Sequence, residues 1–324
     1  MGYGNYSHEA HEAITTARAQ APRQEVFKET ACHPQMNPFG VKLRESRDSP
    51  THPRSLGIAF ALDVTGSMGK VAERLARREL PQFMKLLLGC GVTDPQLLFL
   101  AVGDAKSDRA PLRVGQFESG EHEMDRWLTS TFLEGGGGGN GKESYELGLY
   151  FLAQHTAMDC WEKRGRRGYM FMTGDDLPWA RVTQAEVVRL IGDFMGPSWK
   201  VEVAVERLQR TFDPYFLVPD PKRHWKVEGP WRELIGDGLV LLQDPGEVCH
   251  AAAAIVGLGE GALPDLAAAA AAISAAGASP ETTRSVIAAL EARAPALIER
   301  GAEARRVDEA PAPDAGTQPR ARVS

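Results

Sequence analysis

The chain has 324 residues, 43% hydrophobic and 25% charged, the balance of an ordinary globular protein with room for one large core or two modest ones. Its formal net charge of −6 argues against a general nucleic-acid binder. With no apolar run of about 18 residues or more, no membrane span is expected. The N-terminus has no apolar signal-peptide core, and the 4 cysteines lie far apart without a C-x-x-C spacing, so they read as reduced thiols of a cytoplasmic protein.

Residues 1–54 read as a polar N-terminal arm. SHEAHEAITTARAQ predicts a short helix with Ser7 as its N-cap. His8 and His11 stand three apart, where the zinc motif H-E-x-x-H needs four, so a solvated helix face is expected there and not a metal site. Prolines and a glycine exclude regular structure over 34–53. Apolar Val26, Phe27, Met36, Phe39, Val41 and Leu43 predict an arm packed on the domain over residues 24–54.

LGIAFALDVTGSMGK, residues 56–70, is the stretch around which the rest of the chain is organised. Leu56 to Leu62 form an uncharged run of strand length, as in a strand buried on both faces of a parallel sheet. It stops at Asp63, and a helix is expected after Met68, ending near Gly89 and kinked or broken at Pro81. A strand that ends in an acid and opens into a helix marks the carboxyl edge of an α/β sheet, where such folds place ligands. Asp63, Thr65 and Ser67 offer a carboxylate and two hydroxyls around a tight turn, hard oxygen donors suited to Mg²⁺, Mn²⁺ or Ca²⁺. Capping of the adjoining helix by Asp63 and Ser67 is the bland alternative.

Further strands are expected at 94–104, ending in Asp104, at 110–117 as an antiparallel edge strand, and at 168–176, ending in Asp175 and Asp176. Strands at 214–219 and 238–243 complete the set, and helices are expected at 122–134, 144–155, 183–196, 199–212 and 246–258. Strands alternating with helices over 55–260 imply an α/β domain with a doubly wound, mostly parallel central sheet flanked by helices. The five glycines of 135–139 precede the helix that begins at Ser144, and Asn140, Glu143 and Ser144 are the oxygens available there. EKRGRRG, 162–168, reads as a solvated basic loop, with contact to an acidic partner or a phosphate as the alternative. Residues 261–306 are Ala-rich and predict a two-helix hairpin, and 307–324, rich in Pro, Ala, Asp and Arg, a disordered tail.

The pattern Asp63-x-Thr65-x-Ser67 after an apolar strand resembles the metal-ion-dependent adhesion site of von Willebrand factor A domains, usually Asp-x-Ser-x-Ser. The resemblance covers roughly two thirds of the chain and rests on 58–68, 135–147 and 169–176. It implies a Rossmann-like fold and a divalent cation, Mg²⁺ first, that bridges to a Glu or Asp of a partner protein. In that family the loop before the helix at 144 supplies a Thr; none stands here, and position points to Glu143, with Asn140 and Ser144 as secondary candidates. The last family ligand is an Asp at the end of the strand at 168–176, which makes Asp175 the first choice and Asp176 the second; Asp104 is a further candidate. Intracellular bacterial members commonly work beside AAA+ ATPases, so the family implies a non-catalytic adaptor.

A second resemblance points to an enzyme. DVTGS is similar to the Asp-Lys-Thr-Gly-Thr of cation-pumping ATPases of the haloacid-dehalogenase type, and TGDD to their Thr-Gly-Asp-Gly. That alternative makes Asp63 the nucleophile of a Mg²⁺-dependent phosphotransferase. Val64 stands where its motif has Lys, and residue 179, where a second Asp is required, is Trp.

Overall fold

The computed structural model describes residues 4–133, 139 and 141–309, with Ser67 and residues 307–309 described by backbone alone. The expectations for the glycine run before Gly139, for Asn140 and for the tail from residue 310 lie outside these residues. Six strands make the main sheet: β1 (Leu56–Asp63), β2 (Pro95–Val102), β3 (Leu112–Val114), β4 (Gly168–Thr173), β5 (Phe212–Val218) and β6 (Leu239–Leu241). Their order is β6-β5-β4-β1-β2-β3, parallel throughout except for β3, which pairs antiparallel with β2 at the edge as expected. All eight residues of β1 are buried, which is why this strand shows no polar alternation. Phe60 stacks toward Phe99 and Phe171 at 5.8 and 5.4 Å and meets Phe83 edge-on at 5.2 Å. Each such fully buried ring stabilises the fold by about 1.5–3 kcal/mol.

Helices cover both faces, giving the doubly wound α/β architecture. Leu80–Gly89 packs with Val248–Gly259, and Tyr145–Gln154 packs with Val201–Leu208. The helix after β1 runs through Gly69–Arg74, a π-helical turn Leu75–Glu79, and Leu80–Gly89. The expected interruption at Pro81 takes the form of a π-helical turn directly before it, with the proline in the first turn of Leu80–Gly89. The missing proline N–H is absorbed one turn earlier, where the Leu80 N–H reaches back to the Leu75 carbonyl.

Four expectations need correction. The Ala-rich region forms three helices, Leu266–Ala275, Pro280–Leu290 and Ala294–Glu309, and the last extends into the stretch read as tail. They are not free, because Ile273, Val286, Leu290 and Leu297 join the main core. His8–Ala17 is a helix with Ser7 as N-cap, but not a solvated one: His11 is fully buried against the Tyr6 hydroxyl at 3.1 Å, and burial pushes its pKa down to about 4. In the arm, residues 34–53 are not without regular structure, because Pro34–Met36 is a 3-10 turn and Arg44–Ser46 a short strand parallel to Thr156–Met158; Val26, Phe27 and Met36 are buried, whereas Phe39 and Leu43 are exposed. Finally, the basic turn is a clasp. Arg164 donates to Asp48 at 2.8 and 3.1 Å and to the Ser55 carbonyl at 2.7 Å. Arg166 pairs with Glu260, and Arg167 with Asp213 at 2.8 Å.

Candidate metal centre at the carboxyl edge

β1 and β4 are parallel neighbours, with Leu62 opposite Thr173. Their register therefore delivers Asp63 and Asp175 to the same edge of the sheet, one residue apart along it. Asp63 is fully buried. Its Oδ1 accepts from the Thr65 N–H at 2.8 Å and the Thr65 hydroxyl at 2.6 Å, and Gly66, at φ 38°, lets the loop turn straight into the helix. Its Oδ2 accepts from the Tyr145 hydroxyl at 2.5 Å. Burial pushes the Asp63 pKa up to about 7, repulsion from Asp175 adds to it, and the Thr65 and Tyr145 hydrogen bonds work against it.

Glu143 reaches the same edge from a short ladder, Lys142–Glu143 running parallel to Leu177–Pro178. It is buried, and its Oε2 has no hydrogen-bond partner. Burial, then the carboxylates of Asp63, Asp104, Asp108 and Asp176, push its pKa up to about 9. The Asp175 carboxyl is also raised, first by burial and then by Asp176, against the opposing Arg223 at 3.2 Å. Asp176 pairs with Lys226.

The remaining candidates serve the surrounding loops. Asp104 accepts from the Lys106 N–H at 3.1 Å, the Ser107 hydroxyl at 3.3 Å and the Trp179 indole N–H at 3.0 Å. The Ser144 hydroxyl accepts from the Ala105 N–H at 2.9 Å, tying the helix start to the loop after β2. The Ser67 backbone lies in the turn Gly66–Met68 at this edge, its hydroxyl outside the described residues. Thus Asp63, with Thr65 bonded to it, lies within electrostatic reach of Asp175 and of Glu143; Asp104 acts on Glu143, Asp176 acts on both Glu143 and Asp175, and Asn140 is outside the described residues.

Three polar residues here escape a sequence reading. Tyr145 is fully buried, edge-on to Phe216, and aims its hydroxyl at Asp63. A Cβ on Gly174 would lie 2.3 Å from that hydroxyl, so glycine at 174 is what admits Tyr145. Glu146 is buried with Oε2 accepting from the Trp179 N–H and Oε1 unpartnered, and burial raises its pKa well above the ordinary range. Thr173 Oγ1 is likewise buried and unpartnered. Nothing local marks Tyr145, Glu146 or Thr173, since Glu143 stands in a strand and Glu146 on the helix after it.

The donor set fits a hard divalent cation. Every candidate atom is oxygen, the carboxyls repel one another, and Glu143 Oε2 is buried without a donor. Among the described residues no three His, Cys, Asp or Glu side chains form a metal-binding group by themselves, so such a site depends on hydroxyl oxygens as well.

No family model matches the chain, and no curated protein matches it. Among solved structures it is similar to the pilus adhesin SpaC from Lactobacillus rhamnosus GG at 10% identity and TM-score 0.42, covering 75% of this chain and 31% of SpaC. Proximal thread matrix protein 1 from the mussel byssus is similar at 9% identity and TM-score 0.39, over 64% of this chain and 46% of that one. A von Willebrand factor type A protein from Catenulispora acidiphila is similar at 13% identity and TM-score 0.34, over 60% of this chain and 40% of that one. The chain thus spans less than half the length of each.

Proposed function

We propose that this protein is a metal-dependent protein-binding module of the von Willebrand factor A type, joined through a divalent cation to a Glu or Asp of a partner protein. The observation that carries the reading is the buried, unpartnered Glu143 Oε2 among the charges of Asp63, Asp104, Asp108 and Asp176. Charge of one sign gathered away from water is unstable without a counter-charge. Asp63, Thr65, Glu143 and Asp175 are the residues to hold the ion, with Ser67 by its spacing. Mg²⁺ is the first expectation, and Mn²⁺ and Ca²⁺ accept the same donors. The bound cation supplies a positive centre that a partner carboxylate completes.

This chain's residues prepare that centre without bond-making. Thr65 fixes one oxygen of Asp63, and Tyr145 holds the other. Arg223 and Lys226 restrain Asp175 and Asp176.

The test is titration of Mn²⁺ and Mg²⁺ into wild type and Asp63→Ala by calorimetry, with thermal melting of both. Saturable binding should be lost in the variant while the fold is kept, since no apolar volume leaves the core. Partners recovered from the native host, AAA+ ATPases first among them, should dissociate in EDTA and return with Mg²⁺. Equal ion affinity in both proteins would defeat the reading. Turnover of a generic phosphoester that disappears in Asp63→Ala would replace it with the phosphotransferase.

A further inference from the structure

The opposite edge of the sheet carries a cleft of about 560 Å³ at the amino ends of β4 and β5. Arg164, Arg166 and Arg167 enter it from the turn before β4, Arg210 from just before β5, and Arg300 from the helix Ala294–Glu309. Glu303 is the single acidic side chain among its described lining residues. In a protein of net charge −6, five guanidiniums around one cleft need a reason.

They divide into two layers. Arg164, Arg166 and Arg300 are each about 15–17% exposed and are fixed by Asp48, Glu260 and Asp213. Burial lowers the pKa of Arg166 and of Arg300, and neighbouring arginines add to both shifts, so guanidiniums crowd this wall although each has a carboxylate partner. Arg167 and Arg210 form the outer layer, with side chains 46% and 67% exposed. Among the described residues Arg210 pairs only with Glu206, exposed on both sides, a contact that contributes little, and Arg167 shares the largely buried Asp213 with Arg300, so a multiply charged anion can recruit both outer forks. Trp161, 38% exposed, stands at the same cleft as a flat aromatic face.

We propose that this cleft binds a nucleotide, its phosphates on Arg167 and Arg210 before the wall of Arg164, Arg166 and Arg300, and its base on Trp161. Guanidinium forks match phosphate oxygens in pairs, and an aromatic face stacks on any nucleobase. The site stands apart from the carboxyl edge and does not depend on the metal there.

The experiment is calorimetric titration of ATP, AMP and inorganic pyrophosphate in EDTA, so that a cation at the other edge cannot hold the phosphates. Wild type should bind ATP saturably, more tightly than pyrophosphate, and more weakly as salt rises. The double variant R167A/R210A should lose about tenfold or more of that affinity while still melting cooperatively, and R210A alone, which leaves the clasp intact, should lose part of it at an unchanged melting temperature. R167K/R210K, which keeps charge but not the fork, should fall between wild type and the double variant. W161A should bring ATP down to the affinity of pyrophosphate. Absence of ATP binding, equal affinity in R167A/R210A, or an ATP preference that survives W161A would each overturn the assignment.

Discussion

At the carboxyl ends of β1 and β4, Asp63, Glu143 and Asp175 crowd together, and among the described residues no lysine or arginine pairs with Asp63 or Glu143. At the amino ends of β4 and β5, Arg164, Arg166, Arg167 and Arg300 crowd together, each against a carboxylate. Both edges gather charge of one sign, and they differ in what answers it. The arginines are matched within the chain, so their first role is to clasp the N-terminal arm and the C-terminal helices to the sheet, and any ligand there is an addition. Asp175 has Arg223, but among the described residues Asp63 and Glu143 have no such match, and burial first and the neighbouring carboxylates next raise their pKa values, which supports the proposed cation there.

The largest effect that would break this comparison comes from Arg164→Ala. Arg164 and its partner Asp48 are each 15% exposed. Removing Arg164 strips Asp48 of two guanidinium bonds and Ser55 of one, but leaves Lys163 at 3.2 Å from Asp48, with an expected loss of about 1–3 kcal/mol. Urea unfolding measures it, and a loss under about 1 kcal/mol would mark the turn as an ordinary solvated loop.

Next in size is the pH dependence of the metal-free protein. Asp63 and Glu143 have folded pKa values raised to about 7 and about 9. Above about pH 4 the unfolded chain has lost protons that the folded state retains, so stability declines as pH rises through those two values. In EDTA the melting temperature should fall between about pH 6 and pH 9, the fall should flatten with Mg²⁺, and Glu143→Gln should remove its upper part. A melting temperature that climbs over this range would show that the two carboxyls are not unmatched.

Tyr145→Phe sharpens the comparison at a single atom. It removes the hydroxyl that orients Asp63 and keeps the ring against Phe216. Affinity for Mn²⁺ should drop about tenfold with little change in melting. An unchanged affinity would place Tyr145 in the core alone.

The smallest effect serves as a control away from both edges. His11 is buried neutral, its pKa lowered to about 4. The unfolded chain takes up its proton first as pH falls, so this contribution is present above about pH 6.5 and is lost through about pH 4. Amide exchange of His8–Ala17, corrected for intrinsic rates, should quicken at about pH 5 without any change at the two edges. No change would mean that the helix is held independently of His11.

The sequence by itself determined the order of strands and helices, because uninterrupted apolar runs such as 56–62 and 168–173 have the length and composition of doubly covered strands. It also determined that Asp63, Thr65 and Asp175 stand at strand ends, since the apolar runs stop there. Only the tertiary structure decided which ends meet. Strand order places β4 beside β1, and that adjacency brings Asp175 to Asp63 across more than a hundred residues of chain. Tyr145 reads in sequence as one more apolar helix position, and its hydroxyl acquires a task only because Gly174 leaves room for it. The basic turn and His11 misled for the same reason. Charge and polarity suggest solvent when read locally, whereas burial and a distant partner such as Asp48 or Tyr6 decide what a side chain does. Local pattern fixes elements because it acts over a few residues; partners far apart in the chain are chosen by packing, which no local pattern records.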